Sequence, residues 1–259
     1  MRRALGPFYG AFVYLRAIAG LLVVWHLLAL WTANTALLPQ PLRVADAIWR
    51  LARDFELFEH AAISLVRMLF SLALAAILAV PIGLLMGLDR RAEDIVDPLV
   101  EILRPISGIA WIPLALFIFG IGHALPIFIM TYTAFFPIVI GTVAGVRGVD
   151  RRLIDAARTM GVPQHTIVAR IVVPAATPSL LVALRLGVAS AWTAVVAAEL
   201  VGAPNGLGYA VEWYRELLMT PRVMAFIGMI GLLGFLCDQA LRRVTAAVTP
   251  WAAEAEAAR

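Results

Sequence analysis

The chain contains no lysine, and all 21 of its basic residues are arginine. The phosphate-binding loop of an ATPase needs a lysine that reaches the β- and γ-phosphates, so any dependence on ATP has to come through a partner. Charge is scarce as well, at 15% of residues against roughly 25% in soluble domains. The single cysteine, Cys237, sits inside an apolar run. That excludes an internal disulfide framework and a thiol metal cluster, and leaves a small packing residue. His26, His60, His123 and His165 are scattered without metal-ligand spacing. Neither His-Glu-x-x-His nor Gly-x-Ser-x-Gly occurs, and Ser71 and Ser190 have no histidine in a corresponding position. A polytopic intramembrane enzyme is therefore the weaker reading. The net charge of +4 comes from arginines lying between apolar runs, without the basic–aromatic clustering that marks nucleic-acid binding.

What is present is apolar surface: 62% of the 259 residues are hydrophobic, with a mean hydropathy of +0.90. No polar stretch is long enough for a second soluble domain, so the composition predicts one all-α membrane domain. Crossing the hydrocarbon core takes roughly 20 apolar residues. A first span is expected at about residues 11–32; its apolar run is too long for a signal peptide and no small-residue cleavage site follows it. A second span is expected from Met68 to Leu88. The run from Pro105 to Val146 is too long for one crossing, and Gly120-Ile121-Gly122-His123 reads as a turn that splits it into a third and a fourth. Pro174–Val201 and Arg222–Leu241 supply the fifth and sixth.

Arginine asymmetry orients these spans. With the N-terminus in the cytoplasm, Arg2, Arg3, Arg90, Arg91, Arg104, Arg147, Arg151, Arg152, Arg158, Arg170, Arg242 and Arg243 fall on that side. The opposite side receives Arg43, Arg50, Arg53, Arg215 and Arg222 among several carboxylates. Both termini are then cytoplasmic, which requires an even number of spans. The expected organisation is a first helix with an external connector over 1–60, a core of five helices over 61–243, and a cytoplasmic tail over 244–259.

The connector after the fourth span, about residues 150–173, carries more pattern than a loop needs. Asp150 can cap a helix start, and Asp155 lies on the favourable side of its dipole. Leu153, Ala156, Ala157 and Met160 recur at helical spacing and form a narrow face of small residues. Gly161 stands where a left-handed residue ends a helix. Pro163 can open a second helix, with Ile167 and Ile171 on one face, and Pro174 begins the next span. Such a helix fits two settings: the surface of another protein, or the membrane headgroup layer.

The segment Asp155-Ala156-Ala157-x3-Gly161, followed by Ile171-x-Val173-Pro174, resembles the EAA loop of binding-protein-dependent ABC importer permeases. The family consensus there is Glu-Ala-Ala, three residues, Gly, nine residues, Ile-x-Leu-Pro; Asp155 replaces the glutamate and Val173 the leucine. Ile109-Ala-Trp111-Ile-Pro113, Phe119-Gly120-Ile-Gly122, Phe135-Phe136-Pro137, Ala198-Glu199, Gly206-Leu-Gly208-Tyr209 and Gly234-Phe-Leu-Cys-Asp238 look like the branch that imports nitrate, sulfonates, taurine and bicarbonate. That branch usually has an acidic residue where His123 stands.

The resemblance implies a type I importer permease of six transmembrane helices, multi-pass in a bacterial inner membrane. It implies that Asp155, Ala156, Ala157, Met160, Gly161, Ile171 and Pro174 form a coupling helix seated in a cleft of a cytoplasmic ATPase dimer, which uses ATP and Mg; this chain binds no cofactor of its own. A second copy of the chain completes the path with C2 symmetry, because one six-helix chain offers too little wall. An extracytoplasmic binding protein delivers the cargo, a small anion, with a vitamin-precursor heterocycle as the alternative.

Ionisable groups within spans are costly and read as functional by default. Arg185 lies about 16 Å along the fifth span by helical rise. It could attract an anion into the path, or brace carbonyls or a carboxylate between helices. Trp192 and Glu199 are further path candidates, each with packing as the competing role. Arg67 and Asp238 lie near span ends, where snorkelling accounts for them.

Overall fold

The computed structural model describes residues 7–32, 34 and 37–250. Among them every regular element is helical. The helices are α1 (Pro7–Thr32), α2 (Pro41–Arg53), α3 (Glu56–Leu88), α4 (Arg90–Leu103), α5 (Ile112–Phe119), α6 (Ala124–Arg147), α7 (Arg151–Thr159), α8 (Gln164–Ile167), α9 (Val173–Gly202), α10 (Leu207–Glu216) and α11 (Thr220–Val248). A 3-10 turn (Gly108–Trp111) leads into α5, and a π-type turn (Val168–Val172) joins α8 to α9.

Among the described residues, four helices are long and apolar enough to cross a membrane: α3, α6, α11 and the run of 39 residues from Gln164 to Gly202. The expected break at Pro174 is therefore absent. Proline removes a helical donor, and the π-type turn directly before it, a form found as single-turn bulges inside α-helices, lets the helix run on. The third span also differs from expectation. It is not a straight helix beginning at Pro105 but a pair, Arg90–Leu103 and Gly108–Phe119, bent by 82° around that proline. The fourth separates from it where expected, at Gly120, whose φ of 68° ends α5. The drawn boundaries at 60/61 and 243/244 fall inside α3 and α11. Residues 1–6 and 251–259, which include most of the expected tail, lie outside the described residues.

α6 is the central post, packed against α3 on one side and α9 on the other. Glycines four apart set both contacts. A β-carbon at Gly83 would lie 2.6 Å from Thr142, and one at Gly87 would lie 2.7 Å from Val146. On the other face, a β-carbon at Gly141 would lie 2.3 Å from Ala183 and one at Gly145 would lie 2.8 Å from Ser179. In a bilayer, lipid tails are as apolar as leucine, so helices associate through such close backbone approach. The buried cluster around this post runs from Met68 and Ala75 through Met130, Ala134 and Ile138 to Val188 and Val195.

Candidate functional site: a protruding helix and two charge networks

α7 is set up by its ends. The Asp150 carboxylate accepts from the Arg152 N–H at 2.9 Å, satisfying one of the donors a helix start leaves open. At the other end Gly161 adopts φ 76°, the Gly161 N–H donates to the Arg158 carbonyl at 2.9 Å, and the Val162 N–H donates to the Ala157 carbonyl at 3.1 Å. That double bond pattern is the Schellman termination, which needs a left-handed residue at this position. Pro163 then caps α8.

The faces of α7 divide differently from the sequence expectation. Ala157 turns inward, 2% exposed, into a cluster with Val146, Val149, Ile167 and Val172. Leu153 and Met160 stand out, 54% and 75% exposed, with Ala156 exposed between them and Asp155 beside them. Ile171 is half-buried on the same cluster, and Pro174 is exposed at the foot of α9. The free strip is thus Leu153–Ala156–Met160, at spacings of three and four, while Ala157 anchors it from behind. Beside α7 opens a polar cavity of about 960 Å³, lined by Glu93, Asp97, Arg147, Asp155 and Arg158 among others, and the Arg147–Glu93 ion pair ties α6 to α4 across it.

The second feature lies at the opposite end of the bundle. Arg67, 3% exposed, donates from one terminal nitrogen to Glu199 Oε1 at 2.8 Å and to the Asn205 carbonyl at 2.7 Å. Its other terminal nitrogen meets the Asn205 side-chain oxygen, and its Nε donates to His123 Nδ1 at 3.1 Å. Glu199 also accepts from Ser64 Oγ at 2.7 Å and from the Gly208 N–H at 3.0 Å. The Leu207 N–H donates to Ser64 Oγ at 2.8 Å, and the Gly206 N–H donates to His60 Nδ1 at 3.1 Å. One guanidinium and one carboxylate thereby hold together α3, the turn before α6, the end of α9 and the loop into α10. Gly206 permits this: its φ is 111°, and a β-carbon there would sit 2.5 Å from the Glu199 carboxylate.

One expectation is corrected here. Arg67 does not snorkel; it is enclosed, because Glu199 and Asn205 supply acceptors a lipid-facing guanidinium would seek at the surface. Glu199 is fully enclosed too, and its two oxygens are spent on this chain's own donors. His123 Nδ1 lies 3.1 Å from Arg67 Nε, so the histidine meets the guanidinium at this position.

Arg185 and Asp238 form the third feature. Arg185 Nε donates to Asp238 Oδ1 at 2.5 Å and its terminal nitrogen to Oδ2 at 3.1 Å, while Arg242 Nε donates to Oδ2 at 2.9 Å. The side chains are 35%, 37% and 57% exposed. Two guanidiniums thus share one carboxylate across α9 and α11, and Asp238 is a partner of Arg185 rather than a solitary snorkelling group. Trp192 is packed rather than presented: it is 9% exposed and its Nε1 donates to the Ile230 carbonyl at 3.1 Å. Of the residues singled out from sequence, those expected to couple to an ATPase gather at α7–α9. Arg185, Trp192 and Glu199 are spread along α9 and do not form one site. Ser64 and Asn205 escaped sequence reasoning, and Arg67 was given the wrong role by it. A usable signal was present: the apolar spans hold isolated charges of opposite sign, Arg67 with Glu199 and Arg185 with Asp238, and unpaired charge at membrane depth is too costly to leave unmatched.

These features define a multi-pass helical membrane protein whose buried charges are paired internally and whose helix α7 exposes Leu153, Ala156 and Met160. The family model for binding-protein-dependent transport system inner membrane components matches residues 79–249. A protein of Methanocaldococcus jannaschii named as an ABC transporter permease is 40% identical over 230 residues, covering 86% of this chain and 85% of that one. The taurine transport system permease protein of Escherichia coli is 34% identical over 245 residues, covering 92% and 89%. The bicarbonate transport system permease protein of Synechococcus elongatus is 30% identical over 243 residues, covering 89% and 86%. Among solved structures, an inward-facing MetNI methionine ABC transporter aligns with a TM-score of 0.66 at 23% identity, over 74% of this chain and 96% of that one. The chain belongs to the family of binding-protein-dependent inner-membrane transport components, as a permease subunit of an ABC importer. It is a transport subunit, and ATP hydrolysis belongs to its partner ATPase.

Proposed function

We propose that two copies of this chain form the translocation path of an importer for a small anion of the sulfonate, taurine, nitrate or bicarbonate type. The observation that carries the coupling part is the Leu153–Ala156–Met160 strip, exposed on a helix fixed at both ends and anchored through Ala157. In this reading α7 seats in a cleft of each ATPase subunit. A six-span topology, with α1 first and the bent α4–α5 pair third, puts both termini in the cytoplasm together with Arg147, Arg151, Arg152, Arg158 and Arg170. A soluble binding protein delivers cargo to the opposite face, where the Arg67–Glu199 network closes the ends of α3 and α9.

The anion assignment is supported by the cargo named for the Escherichia coli and Synechococcus relatives and by the excess positive charge where two guanidiniums share Asp238. The test is uptake by the reconstituted assembly, with its ATPase and binding protein, of taurine, an alkanesulfonate, nitrate and a pyrimidine. Preferential, ATP-dependent uptake of one of the anions is the expected result. Preference for the pyrimidine would replace the anion with a heterocyclic cargo.

A further inference from the structure

α2 precedes the residues matched by the family model, which begin at position 79, and it carries three distinct faces. At about 100° per residue, Val44, Ala47 and Leu51 share one side and are buried against α3 and α11. Leu51 belongs to the same buried cluster as Leu57, Ala225 and Phe226. Next around the helix come Ile48, Trp49 and Leu42, exposed at 41%, 71% and 75%. The remaining side carries Arg43, Asp46, Arg50 and Arg53, all exposed, with Asp46 paired to Arg50 at 2.9 Å. Three arginines against one aspartate leave an excess of two positive charges on that side.

A helix with one packed face needs no exposed apolar face, least of all one holding a tryptophan. The chain's path says what covers it. α2 lies between the end of α1 and the start of α3; on the proposed six-span reading, on which this inference rests, it sits where those two helices meet the same membrane surface. The connection also turns back: Trp25 Nε1 donates to the Pro39 carbonyl at 3.1 Å. Trp25 is seven residues before Thr32, about 10 Å inside the end of α1 by helical rise. The start of α2 is therefore drawn down to the depth of the interface rather than raised above it. Interfacial helices bury their apolar face roughly 5–10 Å into the boundary between headgroups and acyl chains, with basic residues on the other side, and tryptophan concentrates at that level.

We infer that α2 is a membrane-interface helix: Leu42, Ile48 and Trp49 enter the acyl boundary, and Arg43 and Arg53 meet anionic lipid headgroups. The assignment holds for either orientation of the chain, because it depends only on α1 and α3 sharing that surface. By gripping α3 and α11 through Leu51, the helix fixes those two ends relative to the bilayer plane.

The test uses the full assembly with its ATPase, reconstituted in vesicles of phosphatidylcholine and phosphatidylglycerol, in a Cys237→Ala background. Nitroxide labels are placed at Leu42→Cys and Trp49→Cys, and separately at Arg43→Cys and Arg53→Cys. Labels at 42 and 49 are expected to collide with oxygen more than with a water-soluble nickel chelate, and those at 43 and 53 to show the reverse. Labels at 42 and 49 that are immobile and closed to both reagents would assign the face to a second copy and overturn the proposal. So would access to nickel that the binding protein then blocks. As a measurement free of cysteine variants, the wild-type assembly should melt higher in vesicles containing phosphatidylglycerol than in phosphatidylcholine alone. The double variant Arg43→Gln/Arg53→Gln should lose most of that rise; an undiminished rise would overturn the headgroup contact.

Discussion

Arg67 and Glu199 stand 132 residues apart in the sequence and meet at 2.8 Å with side-chain exposures of 3% and 0%. Burying either charge alone would be far more costly than burying the pair, since desolvation is repaid only when geometry and hydrogen bonds are complete. Here they are, because Ser64, Asn205 and the Gly208 N–H fill the remaining positions. Glu199→Ala is expected to destabilise the permease by about 3–5 kcal/mol, as removal of one buried partner does. The double variant Arg67→Met/Glu199→Leu should recover a substantial part of that loss. Thermal melts of the purified variants in detergent check both, and a single variant as stable as wild type would mean the network does not hold these elements together.

Helix α7 invites a comparison between neighbours. Ala156 faces out and Ala157 faces in, at 2% exposure. Ala156→Glu should leave the melting behaviour of the isolated permease within about 0.5 kcal/mol of wild type, the range for surface changes, yet abolish co-purification with the ATPase. Ala157→Glu should instead destabilise the chain itself, because it buries a carboxylate against Val146 and Ile167. Gly161→Leu has open space for its side chain, with nothing within 4 Å, so its cost is backbone alone, roughly 1–2 kcal/mol for a left-handed residue. Gly161→Asn, which tolerates that conformation better, should retain more transport-linked hydrolysis. Equal loss in both Gly161 variants would mean that the helix terminus is not what matters there.

How much of this could be read from residues alone depends on the range of the interaction. The ends of α7 could be: Asp150, Gly161 and Pro163 act through local backbone chemistry, and the structure places a cap, a left-handed residue and a second cap at those positions. The inward turn of Ala157 could not, because Leu153, Ala156, Ala157 and Met160 share one narrow face. Which edge of it is buried is decided by Val146 on α6 and Ile167 on α8. The bend at Pro105 was hidden for the same reason. Apolar content extends a run without saying that α4 lies 82° from the segment that follows. The Arg67–Glu199 pair joins residues whose partnership depends on how α3 and α9 align, which neither helix encodes separately.

At the end of the bundle that holds Arg67, Tyr214 donates to Glu56 Oε1 at 2.5 Å and accepts from Arg222 at 3.0 Å, linking α10 to the first turns of α3 and α11. Burial, reinforced by the bond to Glu56, holds its hydroxyl above the ordinary tyrosine range. A group raised in the folded state adds stability that is fully present below its unfolded value and is lost as pH rises through the folded one. Melting temperatures of wild type should therefore fall more steeply above about pH 10 than those of Tyr214→Phe, which has no proton to lose. Parallel curves for the two proteins would show that this hydroxyl does not contribute to alkaline unfolding.

The shared carboxylate makes the role of Arg185 decidable. Arg185 alone is matched by Asp238, so the uncompensated charge of the trio comes from the second guanidinium, Arg242. Arg185→Gln and Arg242→Gln both bring the trio from a net charge of one to zero. Asp238→Asn raises it to two and removes the group that holds the arginines together. If the trio acts on cargo through its field, attraction follows net charge, since a positive potential favours an anion and penalises a cation. Uptake of the preferred anion should then fall in both glutamine variants, be retained in Asp238→Asn, and depend less on ionic strength once the net charge is gone. If the trio only joins α9 to α11, the order reverses. Asp238→Asn becomes the worst variant, leaving two guanidiniums facing one another without a carboxylate, and Arg242→Gln becomes the mildest, because the two-bond contact between Arg185 and Asp238 survives. Initial uptake rates of the three variants, each normalised to the amount of assembled transporter, separate the two roles.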